Sequence, residues 1–204
     1  GPSEVVVVAD ATVPAAFAAI DVVVQAEHGP DGLAWLITWD EAVADAVDAE
    51  VARIVEGSPR RDDVTATLAS AGWVVLVDGP DDALAVSDAI APEHLQLMVA
   101  GAESLADRVR HAGAVFCGPW SPASLGDYVA GPSHVLPTAG TARFSGALTV
   151  ADFTKEVHVV TADRDALERL APHVAALADA EGLDAHAESV RIRTNSSPGT
   201  GNDA

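Results

Sequence analysis

The sequence predicts an α/β fold, a parallel sheet with helices on both faces. Two observations carry this. Short apolar runs rich in β-branched residues alternate with longer stretches whose apolar residues fall at helical spacing, and Gly, Pro or Asp punctuates many of the junctions. Repeated strand–helix units pack as a parallel layer, because each helix returns the chain to the end of the sheet where the next strand begins.

From Glu4 to Ala9 runs an uninterrupted stretch of valines, as expected of a strand covered on both faces. Pro14 opens a helix that continues through Val24 to His28, where Gly29 and Pro30 stop it. Ala34 to Thr38 reads as a strand, Glu41 to Val55 as a helix, and Gly72 to Val77 as a strand. Asp81 to Ile90 is expected to be helical, Leu95 to Val99 a short strand, Glu103 to His111 helical, and Ala114 to Cys117 extended. Pro, Gly and Ser then crowd the segment from Pro119 to Gly146, which is too long for an ordinary connector. It carries Trp120, Asp127, Tyr128 and His134 rather than polar filler, which marks it as a functional loop. Glu156 to Thr161 reads as one more strand and Asp165 to Glu181 as a helix rich in Ala and Leu. Residues 195–204, without an apolar anchor, read as a disordered tail.

With 204 residues, 49% of them hydrophobic, the chain can bury one substantial core, or one core and a small appendage. A formal net charge of -20 argues against a nucleic-acid partner, because Lys and Arg are scarce and scattered. It suits a cationic small molecule. Cys117 is the single cysteine, so an internal disulfide is impossible, and a reducing, cytoplasmic compartment is expected. No run is apolar enough to span a bilayer, and the start has no basic region leading into an apolar stretch. The chain opens without Met and enters its first strand almost at once, as expected of a piece of something longer.

Five places bear chemistry-capable side chains. Gln25 and His28 stand three apart at a helix end, a spacing that puts both on one face. Imidazole is the commonest protein ligand for zinc, but an isolated pair of this kind reads first as a polar helix end beside water. Glu93 and His94 follow the breaker Pro92, where a carboxylate and an imidazole could share proton transfers near neutral pH. They read equally well as an exposed Glu and a half-buried His. Asp127 lies in a Gly-flanked loop, His186 follows Asp184-Ala185, and His134 sits between Ser133 and Val135; each alone is an ordinary turn or surface residue. His111, His158 and His173 fall on regular elements and receive no role.

Taken together these segments resemble the C-terminal half of histidinol dehydrogenase. Gly-Pro-Ser-Glu at the start, Gln-Ala-Glu-His-Gly-Pro-Asp from Gln25, Pro-Glu-His-Leu from Pro92 and Gly-Asp-Tyr from Gly126 occur in that family's order. So do His-Val-Leu-Pro-Thr from His134, Ala-Asp-Phe from Ala151 and Ala-His from Ala185, and the likeness extends to about Arg193. Single motifs would be weak; several in register are specific.

The resemblance implies oxidation of L-histidinol to L-histidine through an unreleased aldehyde, with two hydride transfers to two NAD. By position it makes Gln25, His28, Asp127 and His186 zinc ligands, His94 the general base, and Glu93 the carboxylate that activates water. Ser3, His134 and Glu181 fall at positions around the substrate, together with Gln25, His28, His94, Asp127 and His186. The zinc would anchor the substrate's nitrogen atoms. The fold it implies is a Rossmann-like domain lacking its N-terminal half over 1–148, then a mainly helical arm over 149–194. The arm would reach across a homodimer, so that Glu181 and His186 complete the neighbour's site. No Gly-x-Gly-x-x-Gly follows a strand here, and the family's NAD-binding segments lie upstream of Gly1. Alone, the 204 residues are therefore expected to be inactive.

Two alternatives stay beside this reading. A sibling dehydrogenase of the same fold would oxidise another diol, such as a sulfonate; Glu181 weighs against it, since a sulfonate calls for Lys or Arg. A non-catalytic remnant would fold and bind zinc or a partner without turnover.

Overall fold

The computed structural model of the chain describes residues 2–29 and 31–195. The expected disordered tail lies outside the described residues apart from Asn195, which closes a helix. Two compact units divide the chain, Gly1–Thr154 and Lys155–Ala204.

Among the described residues, five strands build the first unit: β1 (Glu4–Ala9), β2 (Leu33–Thr38), β3 (Gly72–Leu76), β4 (His94–Met98) and β5 (Ala114–Cys117). All pairings are parallel and the order is β3-β2-β1-β4-β5. The α/β class with helices on both faces is as expected from the alternating pattern. Side chains along a strand alternate between faces, and the valines of β1 divide accordingly. Val5 and Val7 pack with Ala18, Val22, Val47 and Val64, which belong to α1 (Ala15–Ala26), α2 (Glu41–Gly57) and α3 (Arg61–Ala71). Val6 and Val8 pack with Leu84 of α4 (Pro80–Ile90) and Leu105 of α5 (Ala102–Ala106). Each of these four valines is 0% exposed, and burying such a side chain stabilises by about 1.5–3 kcal/mol. At the β3 edge, Trp73, Val74 and Leu76 remain exposed.

After β5 comes α6 (Ala123–Tyr128), then a long irregular segment with single helical turns at Thr141–Arg143 and Val150–Phe153. The second unit contributes α7 (Arg164–Glu181) and α8 (Asp184–Asn195), an antiparallel pair turned at Gly182, whose left-handed φ of 73° ends α7. Among the described residues no helix is long and apolar enough to cross a membrane.

Three expectations change. The segment from Glu156 to Thr161 forms no strand: its valines Val157, Val159 and Val160 are exposed, and alternation without a partner edge does not make a sheet. The helix expected from Glu103 to His111 is cut short at Ala106, because the Asp88 carboxylate accepts from the backbone N–H groups of Arg110 and His111 and draws the chain off the helical path. The first helix stops at Ala26, short of His28, with Glu27 as its cap. Helices α3 and α6 were not anticipated, and α8 was expected only as part of a mainly helical arm.

Candidate functional site

Ser3, Glu4, Glu93 and His94 gather at the amino ends of two adjacent inner strands, β1 and β4. Ser3 and Glu4 enter β1, Glu93 and His94 enter β4, and the parallel register sets Val5 beside His94. Ligands of open α/β sheets usually sit beyond the carboxyl ends. There, in this chain, Asp10 is engaged with its neighbours, accepting from the N–H groups of Thr12 and Ala100 at 2.9 Å each.

Local backbone chemistry aims the pair on β4. Helix α4 ends in Ala91, held in the left-handed region at φ 55°, and Pro92 has no N–H with which to continue it. His94 Nδ1 then lies 2.9 Å from the carbonyl oxygen of Glu4. A carbonyl only accepts, so Nδ1 carries the hydrogen, and in the neutral ring Nε2 is left as the lone-pair nitrogen. That nitrogen is buried, has no hydrogen-bond partner among the described residues, and stands 3.4 Å from Asp127 Oδ1. Phe116 of β5 stacks on the ring, centroids 5.9 Å apart with 29° between planes.

Glu93 is 9% exposed. Its Oε2 accepts from the N–H of Glu4 at 3.1 Å and lies 3.4 Å from the Ser3 hydroxyl and 3.5 Å from His94 Nδ1. Burial pushes its carboxyl above the ordinary Glu range; His94 and the Glu4 N–H pull it back, and the negative charge of Glu4 raises it again.

Ser3 also donates to Gln25 Oε1 in the last turn of α1, where Gln25 is fully buried and its Nε2 has no partner among the described residues. His28 is exposed in the turn beyond the helix end. The three-residue spacing therefore does not place it on a helical face shared with Gln25, because the helix stops first. Asp127 lies in α6 and His134 in the exposed loop that follows. Both join His94, Phe116 and Cys117 in lining a cavity of about 340 Å³, a volume that suits a small molecule. The Cys117 thiol is pushed up by burial and by the charges of Glu103 and Asp107, which keeps it protonated and poorly nucleophilic. In the second unit, Glu181 ends α7 and His186 lies in the first turn of α8, both exposed.

An amide oxygen, two imidazoles and a carboxylate form a donor set of the kind zinc takes. Asp127 fits that chemistry within the first unit, and Gln25 offers its amide oxygen, which accepts from Ser3; its unpartnered amide nitrogen is a hydrogen-bond donor and holds no cation. Among the described residues, no three His, Cys, Asp or Glu side chains lie close enough together to hold a metal ion.

Two participants escaped sequence reasoning. Glu4 carried a signal, a charge at the entrance of an otherwise apolar strand, which must find partners if buried. Phe116 carried none, because an aromatic on a strand is indistinguishable from core.

The family model for histidinol dehydrogenase matches residues 1–194. Histidinol dehydrogenase of Thermobifida fusca (strain YX) is 48% identical over 194 residues, covering 95% of this chain and 44% of that protein. The enzyme of Parasynechococcus marenigrum (strain WH8102) is 47% identical over 193 residues, again covering 95% and 44%. Among solved structures, histidinol dehydrogenase from Elizabethkingia anophelis superposes with a TM-score of 0.87 at 34% identity, covering 95% of this chain and 44% of that one. The chain thus spans less than half the length of these relatives.

Proposed function

The chain belongs to the histidinol dehydrogenase family, and on that premise we propose that it supplies the acid–base, zinc-binding and substrate-contact residues for the two-step oxidation of L-histidinol to L-histidine. The observation that carries this reading is the contact of His94 Nδ1 with the Glu4 carbonyl at 2.9 Å, from which its tautomer follows. Its Nδ1–H is spent on the Glu4 carbonyl, which leaves the basic Nε2 beside Asp127 where both residues line the cavity.

Loss of a hydride from a carbinol carbon requires the hydroxyl proton to leave as the C–H bond breaks. His94 Nε2 takes that proton, and the bond from Nδ1 to the Glu4 carbonyl stabilises the imidazolium that results. NAD, when bound, supplies the hydride acceptor for each step. The aldehyde so formed needs water added before it can lose a second hydride. Glu93, with its carboxyl raised by burial, takes a proton from that water. His94, having released its first proton, then serves the hydrated carbon in the same way. Gln25, His28, Asp127 and His186 would hold zinc, which supplies a charge anchor for the substrate's nitrogen atoms. Ser3, His134 and Glu181 are assigned to substrate contact.

Glu181 and His186, in the second unit, are assigned to the site of a partner copy in a homodimer. The measurement is NADH formed from L-histidinol by the protein as encoded, with any sequence preceding residue 1 included. Two NADH per histidinol are expected; none, with zinc supplied, overturns the proposal. The isolated 204 residues are expected to form none, and NADH production by that chain would overturn this part of it.

A further inference from the structure

Resting on that reading, the geometry points to Glu4 as the positioning residue of the site: its buried carboxylate and backbone hold the entrance of β4 and the loop after His134 in place, so that His94 keeps Nδ1 on the Glu4 carbonyl and Nε2 beside Asp127. Glu4 is 7% exposed at the head of a strand whose other residues are apolar. Its Oε2 accepts from the N–H of Glu93 at 3.2 Å and its Oε1 from the N–H of Ala139 at 2.7 Å. Its own N–H donates to Glu93 Oε2, and its carbonyl accepts from His94 Nδ1. All four backbone and side-chain bonding groups of one residue thus converge on the acid–base pair and the loop beside it.

The carboxylate is the group these contacts require. Two backbone N–H donors, separated by a long stretch of chain, point at its two oxygens. An amide of the same shape offers one oxygen and one NH2, and the NH2 would face an N–H. Glu4→Gln therefore keeps size and burial while breaking either the tie to Glu93 or the tie to Ala139. The loop has reason to need its tie. Ala139 sits at φ 53°, a left-handed conformation that side chains other than glycine rarely adopt, and the Glu4 bond helps to hold it there. Pro137 and Leu136 of the same loop press on Gly113, where an added Cβ would meet them at 3.1 and 3.3 Å and the Glu93 carbonyl oxygen at 2.6 Å. Loop and strand entrance are thereby clamped to one another with Glu4 between them.

The test compares the encoded protein, with any sequence preceding residue 1, as wild type, Glu4→Gln and Glu4→Asp. We expect kcat for histidinol to fall about ten- to hundredfold in Glu4→Gln, with zinc content and circular dichroism kept, since one buried donor loses its partner next to the base. The imidazole 15N shifts of His94 should report Nδ1–H in the wild type and a mixed tautomer in Glu4→Gln, a change that a scaffold role alone would not produce. A folded Glu4→Gln with kcat within about twofold of wild type, or with an unchanged tautomer, overturns the inference. Should Glu4→Gln fail to fold, Glu4→Asp is judged by the same two criteria; if neither folds, Glu4 serves folding and the inference falls. A wild type that is inactive on histidinol refutes the function proposed above, while the His94 shifts still decide the positioning role.

Discussion

Glu4 and Glu93 exchange hydrogen bonds in both directions, each carboxylate accepting from the other's backbone N–H, at 3.1 and 3.2 Å. Two buried carboxylates 89 positions apart are locked side by side at the mouths of adjacent strands. Each favours the other's backbone and opposes the other's charge, and the latter contributes to the raised carboxyl of Glu93.

Glu93 and His94 should separate the half-reactions. Glu93→Gln is expected to spare oxidation of histidinol more than oxidation of histidinal, because only the second step needs water activated. His94→Asn should slow both by at least about a hundredfold while zinc stays bound. Single-turnover rates for each substrate test this; equal losses in Glu93→Gln would count against the division.

Asp21 makes stability depend on pH. It is 5% exposed in α1, its Oδ2 has no partner among the described residues, and burial raises its carboxyl from 3.8 to about 6. The folded chain therefore binds this proton more tightly than the unfolded chain. Its contribution is full below pH 3.8 and is lost as pH rises through 6, a fall of at most about 3 kcal/mol. Asp21→Asn should flatten that slope and raise the urea midpoint at pH 7. An unaltered pH profile of the midpoint would show that the carboxylate is solvated.

Gly126 lets Phe116 lie against His94. A Cβ there would fall 2.7 Å from two ring atoms of Phe116, so Gly126→Ala must displace the ring. A loss of about 1–3 kcal/mol in stability is expected, together with lower activity. Adding Phe116→Leu should recover part of the stability, giving a coupling energy of at least about 0.5 kcal/mol in a double-mutant cycle. Additive losses would mean that the ring is free to move.

Zinc removal supplies a further check. Chelation of the encoded protein should abolish histidinol oxidation, and added zinc should restore it. His28→Ala and Asp127→Asn should each weaken retention of the metal by about tenfold or more. Metal content by atomic emission alongside activity distinguishes ligands from bystanders, which would keep zinc at wild-type levels.

Most of the sheet was legible because β-branched runs bury in pairs of faces and leave a strong local pattern; Val5 to Val8 could be little else. The segment around Val157 shows the limit. Its alternation resembles a strand, but a strand exists only where an edge accepts it, and that is not local information. The end of α1 is a similar case: Gly29 and Pro30 announced a stop, yet the stop falls before His28 and changes which face that side chain occupies.

The chain's residues by themselves determined the α/β class, the family, and the types of side chain available for acid–base and metal chemistry, because periodicity and motif order are properties of the string. Tertiary structure alone decided that His94 carries its hydrogen on Nδ1, that Phe116 backs its ring, and that Glu4 joins strand to loop. Those facts depend on which carbonyl, ring or N–H arrives from a distant part of the chain, and a hydrogen bond is set by distances of a few tenths of an ångström that no local pattern encodes.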